Sequence, residues 1–192
     1  MVPSSPLLEL FPAPGEWTEA DYFPLTDRGR LVELSNGNIE VLPLPTDFHQ
    51  LILLRLSCEL YGFVVARKLG RVCFAPLPVL LWPGKIREPD LMFMAAAHAD
   101  RIEKYWGVPD LAVEILSEGT ERNDRQIKRE EYAQAGIAEY WIVDPVARTF
   151  EILRLGAHGY DSGVTLQEHD VLTSTMLPGF TLVLSGIFAA EE

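Results

Sequence analysis

Residues 109–117, Pro-Asp-Leu-Ala-Val-Glu-Ile-Leu-Ser, constrain this chain more than any other stretch. Strand alternation puts Leu111, Val113 and Ile115 on one face, and Ala112, Glu114 and Leu116 on the other. Both faces are apolar apart from Glu114, which marks the stretch as a buried strand. A carboxylate there is costly to desolvate unless a partner meets it. Glu114 therefore calls for a proton, a cation or a metal.

The flanking segments alternate between strand and helix patterns. Thr18 stands before a short helix pattern at 18–23. The runs 30–34 and 39–43 enclose Ser35-Asn36-Gly37-Asn38, which predicts a β-hairpin. Residues 47 to about 65 read as a helix with a broad apolar surface, capped by Asp47 and ending near Gly62. Strands are predicted at 71–76, 79–82 and 88–94, with a turn at Pro83-Gly84. Residues 95–105 read as a loosely amphipathic helix. A second helix is expected over 123–135, with Asn123 and Gln126 as a capping box and Gly136 as its end. Further strands are expected at 139–145, 149–155, 165–167 and 180–184. This order favours an α/β fold with helices on the faces of a sheet.

At 192 residues the chain fits a single domain, expected over 17–188 after an irregular proline-rich lead-in at 1–16. The net charge of −12 argues against broad, nonspecific nucleic-acid binding through a basic surface. That acidity is uneven: residues 63–148 hold twelve basic and thirteen acidic residues, so the segment around Glu114 is almost neutral. Cys58 and Cys73 make neither a metal-ligand spacing nor a disulfide framework, and read as buried, reduced thiols. No signal peptide and no membrane-spanning run is apparent, so a soluble cytoplasmic protein is expected.

Three residues carry candidate chemistry: Asp90 at a strand start, Glu114 inside a strand, and Lys128 in the helix that follows. A helix crossover between the first two strands would make them neighbours. Two carboxylates converging with an ammonium suit Mg²⁺ and a scissile phosphate. Hard oxygens hold the ion, and the lysine stabilises developing negative charge or orients water. Spacing alone leaves other readings open. Asp90 reads equally as a strand-end residue after proline, Glu114 as half of a salt bridge, and Lys128 as part of a solvated helix face beside Asp124.

The run Glu-Pro-Asp-Leu at 88–91, the strand 109–117, Asp124, Lys128 and Tyr132, and Ala-Gly-Ile-Ala-Glu-Tyr-Trp-Ile-Val-Asp-Pro at 135–145 together resemble the Uma2 family. That family, domain of unknown function 820, is assigned to the PD-(D/E)XK nuclease superfamily. Val-Glu-Leu-Ser-Asn-Gly-Asn at 32–38 and His49-Gln50 also resemble it. The resemblance implies a restriction-endonuclease-like fold: a central mixed β-sheet flanked by helices, with the N-terminal β-hairpin. It implies Asp90, Glu114 and Lys128 as catalytic residues. Asp90, Glu114 and the backbone carbonyl of Ile115 would be ligands for Mg²⁺, with Mn²⁺ as a possible substitute.

Leu116 stands where the superfamily has its lysine, and the Uma2 pattern takes that lysine from the next helix, matching Lys128. Ser-Glu-Gly-Thr at 117–120 departs from the family's Ser-Pro-Ser-Thr. Glu33, His49 and Gln50 are accessory candidates. The implied activity is hydrolysis of nucleic acid, DNA foremost, by a homodimer with no membrane role. Two alternatives stand beside it: a non-cutting binding or regulatory protein on a nuclease fold, and a hydrolase of another phosphorylated substrate.

Overall fold

The structure, a computed structural model, describes residues 11–189. Residues 1–10 of the predicted lead-in therefore lie outside the described residues. Helix α1 (Glu19–Thr26) begins after Thr18, whose N–H and hydroxyl both donate to Asp21. The predicted hairpin is β1 (Val32–Ser35) and β2 (Asn38–Val41), turned by Asn36-Gly37, both at positive φ. Helix α2 (Asp47–Arg67) is capped by Thr46, which accepts from the His49 N–H; Asp47 is already helical. It runs through Gly62 and ends on Lys68 in the left-handed region.

Strands β3 (Gly70–Phe74), β4 (Val79–Trp82), β5 (Lys85–Arg87) and β6 (Leu91–Ala95) follow. β5 is absent from the sequence reading: it is three residues long, two of them cationic, and it directly follows a Pro-Gly turn. The helix expected over 95–105 is only a 3₁₀ segment, Ala96–Arg101, broken at His98. Asp110 explains the difference. One of its oxygens accepts from the Ala95 N–H and the other meets His98 Nδ1 at 2.7 Å, so the chain folds straight back. Strand β7 (Leu111–Ile115) leads through a π-helical turn (Asn123–Lys128) into α3 (Arg129–Ala135). Asn123 lies inside that turn and caps nothing; the start is organised instead by Thr120, whose hydroxyl accepts from the Ser117 N–H. The chain finishes with β8 (Glu139–Asp144), β9 (Thr149–Gly156), β10 (Gly159–Tyr160), β11 (Val164–Gln167), β12 (Val171–Thr173) and β13 (Thr181–Val183).

The central sheet runs β10-β9-β8-β7-β6-β3, with β11 also paired to β9. It is mixed: β7 and β8 are parallel, joined by the π turn and α3, and β6 and β7 are antiparallel. The strands of Asp90 and Glu114 are thus antiparallel neighbours joined by the return over 96–110, not by a helix crossover. A second sheet, β2-β1-β5-β4, carries the hairpin.

Both faces of β7 are covered. Leu111, Val113 and Ile115 pack with Ile52, Leu56, Leu60 and Val64 of α2. Ala112 and Leu116 pack with Tyr132, Ile137 and Tyr140 on the α3 side. The α2 layer fixes the sheet end that carries the site. Leu56 is fully buried there, so Leu56→Ala is expected to cost about 2–5 kcal/mol in urea unfolding. A loss below about 1 kcal/mol would show that α2 is not a core helix.

Candidate active site

Antiparallel pairing sets the start of β6 beside the end of β7, with Leu91 opposite Val113. Asp90, just before β6, therefore reaches past the last rung of the ladder. Its Oδ2 accepts from the Ile115 N–H at 2.7 Å, and His49 Nε2 in the first turn of α2 lies 3.2 Å from the same oxygen. In an extended strand the N–H and C=O of one residue point to the same side. The Ile115 carbonyl thus lies on the Asp90 side of β7, beyond the end of the β6 pairing.

Glu114 lies on the other face of β7, 4 % exposed. Its Oε1 accepts from Lys128 Nζ at 2.9 Å and from the Tyr132 hydroxyl at 2.6 Å. Lys128 and Tyr132 are four residues apart, so both meet the sheet from one side of the helix. Lys128 is as buried as Glu114 and also lies 3.3 Å from Glu33 and 3.3 Å from Asp124. Glu33 arrives from β1 in the other sheet, where Arg87 Nη1 pairs with it at 2.7 Å and the Glu88 N–H donates to its second oxygen.

A cavity of about 160 Å³ joins these groups, lined among others by His49, Glu88, Asp90, Glu114, Asp124 and Lys128. Carboxylates outnumber cations around it. Burial pushes the Glu114 carboxyl well above the usual range; Lys128 opposes this, while Asp124, Asp90 and Glu33 add to it. Burial likewise raises Asp124 and Glu88. Burial works against the charge on Lys128, but Glu114, Glu33 and Asp124 outweigh it and hold the ammonium well above the ordinary lysine value. Burial also opposes ionised Glu33, yet Lys128 and Arg87 keep its carboxyl below the usual range. For His49, the hydrogen bond and charge of Asp90 overcome burial and raise the imidazole.

The donor set fits a hard divalent ion that keeps part of its hydration. Hydrogen bonds engage Asp90 Oδ2 and Glu114 Oε1; the second oxygen of each has no hydrogen-bond partner among the described residues. The cavity has room for an ion with part of its water shell. Among the described residues no three His, Cys, Asp or Glu side chains form a ready-made cage. Mg²⁺ does not need one, because it binds through one or two carboxylates and retains water.

Asp90, Glu114, Ile115, Lys128, Glu33 and His49 are brought together, and the exposed Gln50 stands on the cavity wall. Sequence reasoning missed the burial of Asp124, Glu88 and Tyr132. Asp124 was visible as the helical neighbour of Lys128, but that pair lies inside the protein and not on a solvated face. Glu88 gave a faint signal as an acid beside Pro89-Asp90. Its Oε1 accepts from the Tyr22 and Thr26 hydroxyls, while Oε2 is buried without a partner among the described residues.

A family model, Uma2, described as "Putative restriction endonuclease", matches residues 19–185. Among solved structures, one described as a "putative nuclease belonging to DUF820" from Anabaena variabilis ATCC 29413 superposes with a TM-score of 0.75 at 17% identity. The match covers 89% of this chain and 97% of that one. No curated protein matches the chain.

Proposed function

Because the chain belongs to the Uma2 family, we propose that it is an endonuclease that hydrolyses phosphodiester bonds in nucleic acid, DNA foremost, with the help of Mg²⁺ or Mn²⁺. One observation carries this reading. Asp90, Glu114 and a firmly charged Lys128 line a single cavity in which carboxylates exceed cations. A divalent ion bound there would polarise the phosphoryl oxygens and make water a better nucleophile.

The side chains divide the work. Asp90 and Glu114 hold the ion through the oxygens that their hydrogen bonds leave free, with the Ile115 carbonyl as a third donor. The Ile115 N–H and His49 orient the Asp90 carboxylate; Lys128 and Tyr132 orient that of Glu114. Lys128 presents a fixed positive charge to the phosphate as negative charge builds up. Its three carboxylate neighbours keep it protonated, so it serves as a charge and not as a base. Glu33 keeps Lys128 in place. Cutting two strands calls for two such sites, so the reading extends to a homodimer.

A second reading draws on one observation: Lys128 is the one cation on the cavity wall among the described residues, and carboxylates surround it. On that reading the protein binds nucleic acid and does not cut it. Incubating mixed DNA and RNA substrates with and without Mg²⁺ or Mn²⁺ separates the two. Cleavage is expected only with the ion, and faster on DNA. Binding without cleavage at any ion concentration would overturn the nuclease reading in favour of the second.

A further inference from the structure

Helix α2 is apolar on two sides, and the fold uses one. His49, Ile52, Leu53, Leu56, Leu60 and Val64 face the core. On the opposite side Leu51, Leu54, Cys58, Tyr61 and Val65 recur at spacings of three and four, the seam of a paired helix. Leu54 is 60% exposed, Tyr61 58% and Val65 51%, and Cys58, expected from the sequence to be buried, is exposed beside them on the outer side of the helix. By length and composition alone α2 would qualify as a membrane span, among the described residues the one helix that does so. A helix apolar all round is normally covered all round. Among the described residues nothing covers this second side.

We infer that a second copy of this chain covers the outer face of α2, the two helices packing antiparallel about a two-fold axis at Cys58. The inference deepens the dimeric part of the function proposed above by naming its surface. The stripe is self-complementary under that axis. Leu51 and Val65 lie seven residues to either side of Cys58 and meet each other across the pair. Leu54 meets Gly62, where the space beside the backbone is open. Arg55 meets Tyr61. Asp47, at the N-terminal end of the stripe, falls opposite Leu69, one residue from the exposed Lys68, and antiparallel helices also oppose their dipoles.

Charge also selects this face. Two bodies of net charge −12 repel each other over most of their surfaces. The five seam residues carry no charge, the exposed Glu59 flanks them beside Cys58, and the charges at the ends are of opposite sign. The same acidity disfavours an anionic lipid surface as the occupant. In the resulting dimer each cavity lies near the N-terminus of its own α2. Rotation of His49 about the axis sets the two sites about 27 Å apart along the helix pair, at 1.5 Å per residue.

The test uses the full chain at tens of micromolar, followed by light scattering. Wild type is expected to be a dimer, and L54E/V65E a folded monomer with the wild-type far-ultraviolet circular dichroism and a lower, concentration-independent melting temperature. In a Cys73→Ser background a short bismaleimide should link Cys58 to Cys58, and L54E/V65E should abolish the link. Lys68→Glu should weaken the dimer about fivefold, and Asp47→Lys/Lys68→Glu should restore it. A dimer that persists in L54E/V65E without the Cys58 link would overturn the surface and leave the dimeric reading standing. A wild-type monomer at every concentration would overturn both. Binding of the wild type, but not of L54E/V65E, to phosphatidylserine vesicles would assign the stripe to a membrane instead.

Discussion

Glu114→Gln is expected to leave the metal-free protein as stable as the wild type, or more stable, while abolishing its stabilisation by Mg²⁺. The glutamine keeps an oxygen where Lys128 Nζ and the Tyr132 hydroxyl donate to Glu114, at 2.9 and 2.6 Å. It removes a charge that burial disfavours and that Asp124, Asp90 and Glu33 repel. It also removes one of the two carboxylates proposed to hold the ion. Mg²⁺ at ten times its dissociation constant should stabilise the wild type by about 1.4 kcal/mol and the variant by almost nothing. Nuclease activity should fall at least about 100-fold, since even partners of metal ligands commonly cost 10- to 100-fold. Asp90→Asn should lose the Mg²⁺ shift in the same way. Thermal unfolding of the three proteins with and without Mg²⁺ is the measurement. If the wild type shows no divalent shift and Glu114→Gln is merely less stable, Glu114 belongs to a structural ion pair.

Lys128→Met carries the largest expected loss of stability, about 3–5 kcal/mol. Methionine fills much the same volume, so packing is nearly conserved. Charge is not: the ammonium lies within 3.3 Å of Glu114, Glu33 and Asp124, all buried. Removing it leaves Glu114 and Asp124 without a cation, and Glu33 with Arg87 alone. Urea unfolding without divalent ions reads this directly. A cost under about 1 kcal/mol would mean that the carboxylates take up protons freely, and that Lys128 contributes little to the metal-free fold.

The β7 pattern could be read from sequence because burial on two faces leaves an unambiguous trace: continuous apolar residues with one charge among them. Asn36-Gly37 announced the hairpin for a similar reason, since positive φ at two successive positions selects those residues. What stayed hidden depends on distant partners. Nothing local tells that Lys85 and Arg87 form a buried strand, because Glu33, Glu40 and Glu131, which satisfy them, come from other elements. The 95–105 segment looked helical until Asp110 supplied a competing set of hydrogen bonds. Asp124 and Lys128 have the spacing of an exposed helical pair, and only the docking of their turn on β7 puts them inside. Asp90, Glu114 and Lys128 were nameable from the family resemblance; the burial of Glu88 and Tyr132 beside them was not.

The π-helical turn at Asn123–Lys128 makes this cavity unusually sensitive to insertions and deletions. A π turn holds a surplus residue relative to the α-helix that surrounds it. Losing one codon between 123 and 127 would let the segment close into a regular helix without breaking the chain's path. The helical residues on either side would keep their phase, and only those inside the turn would shift around the axis, by about 100° for one residue in 3.6 per turn. Tyr132 would keep its place against Glu114, while Asp124 would be re-aimed. One short indel is thus a route by which a descendant could keep the scaffold and discard the chemistry, and the reverse event a route by which it could return.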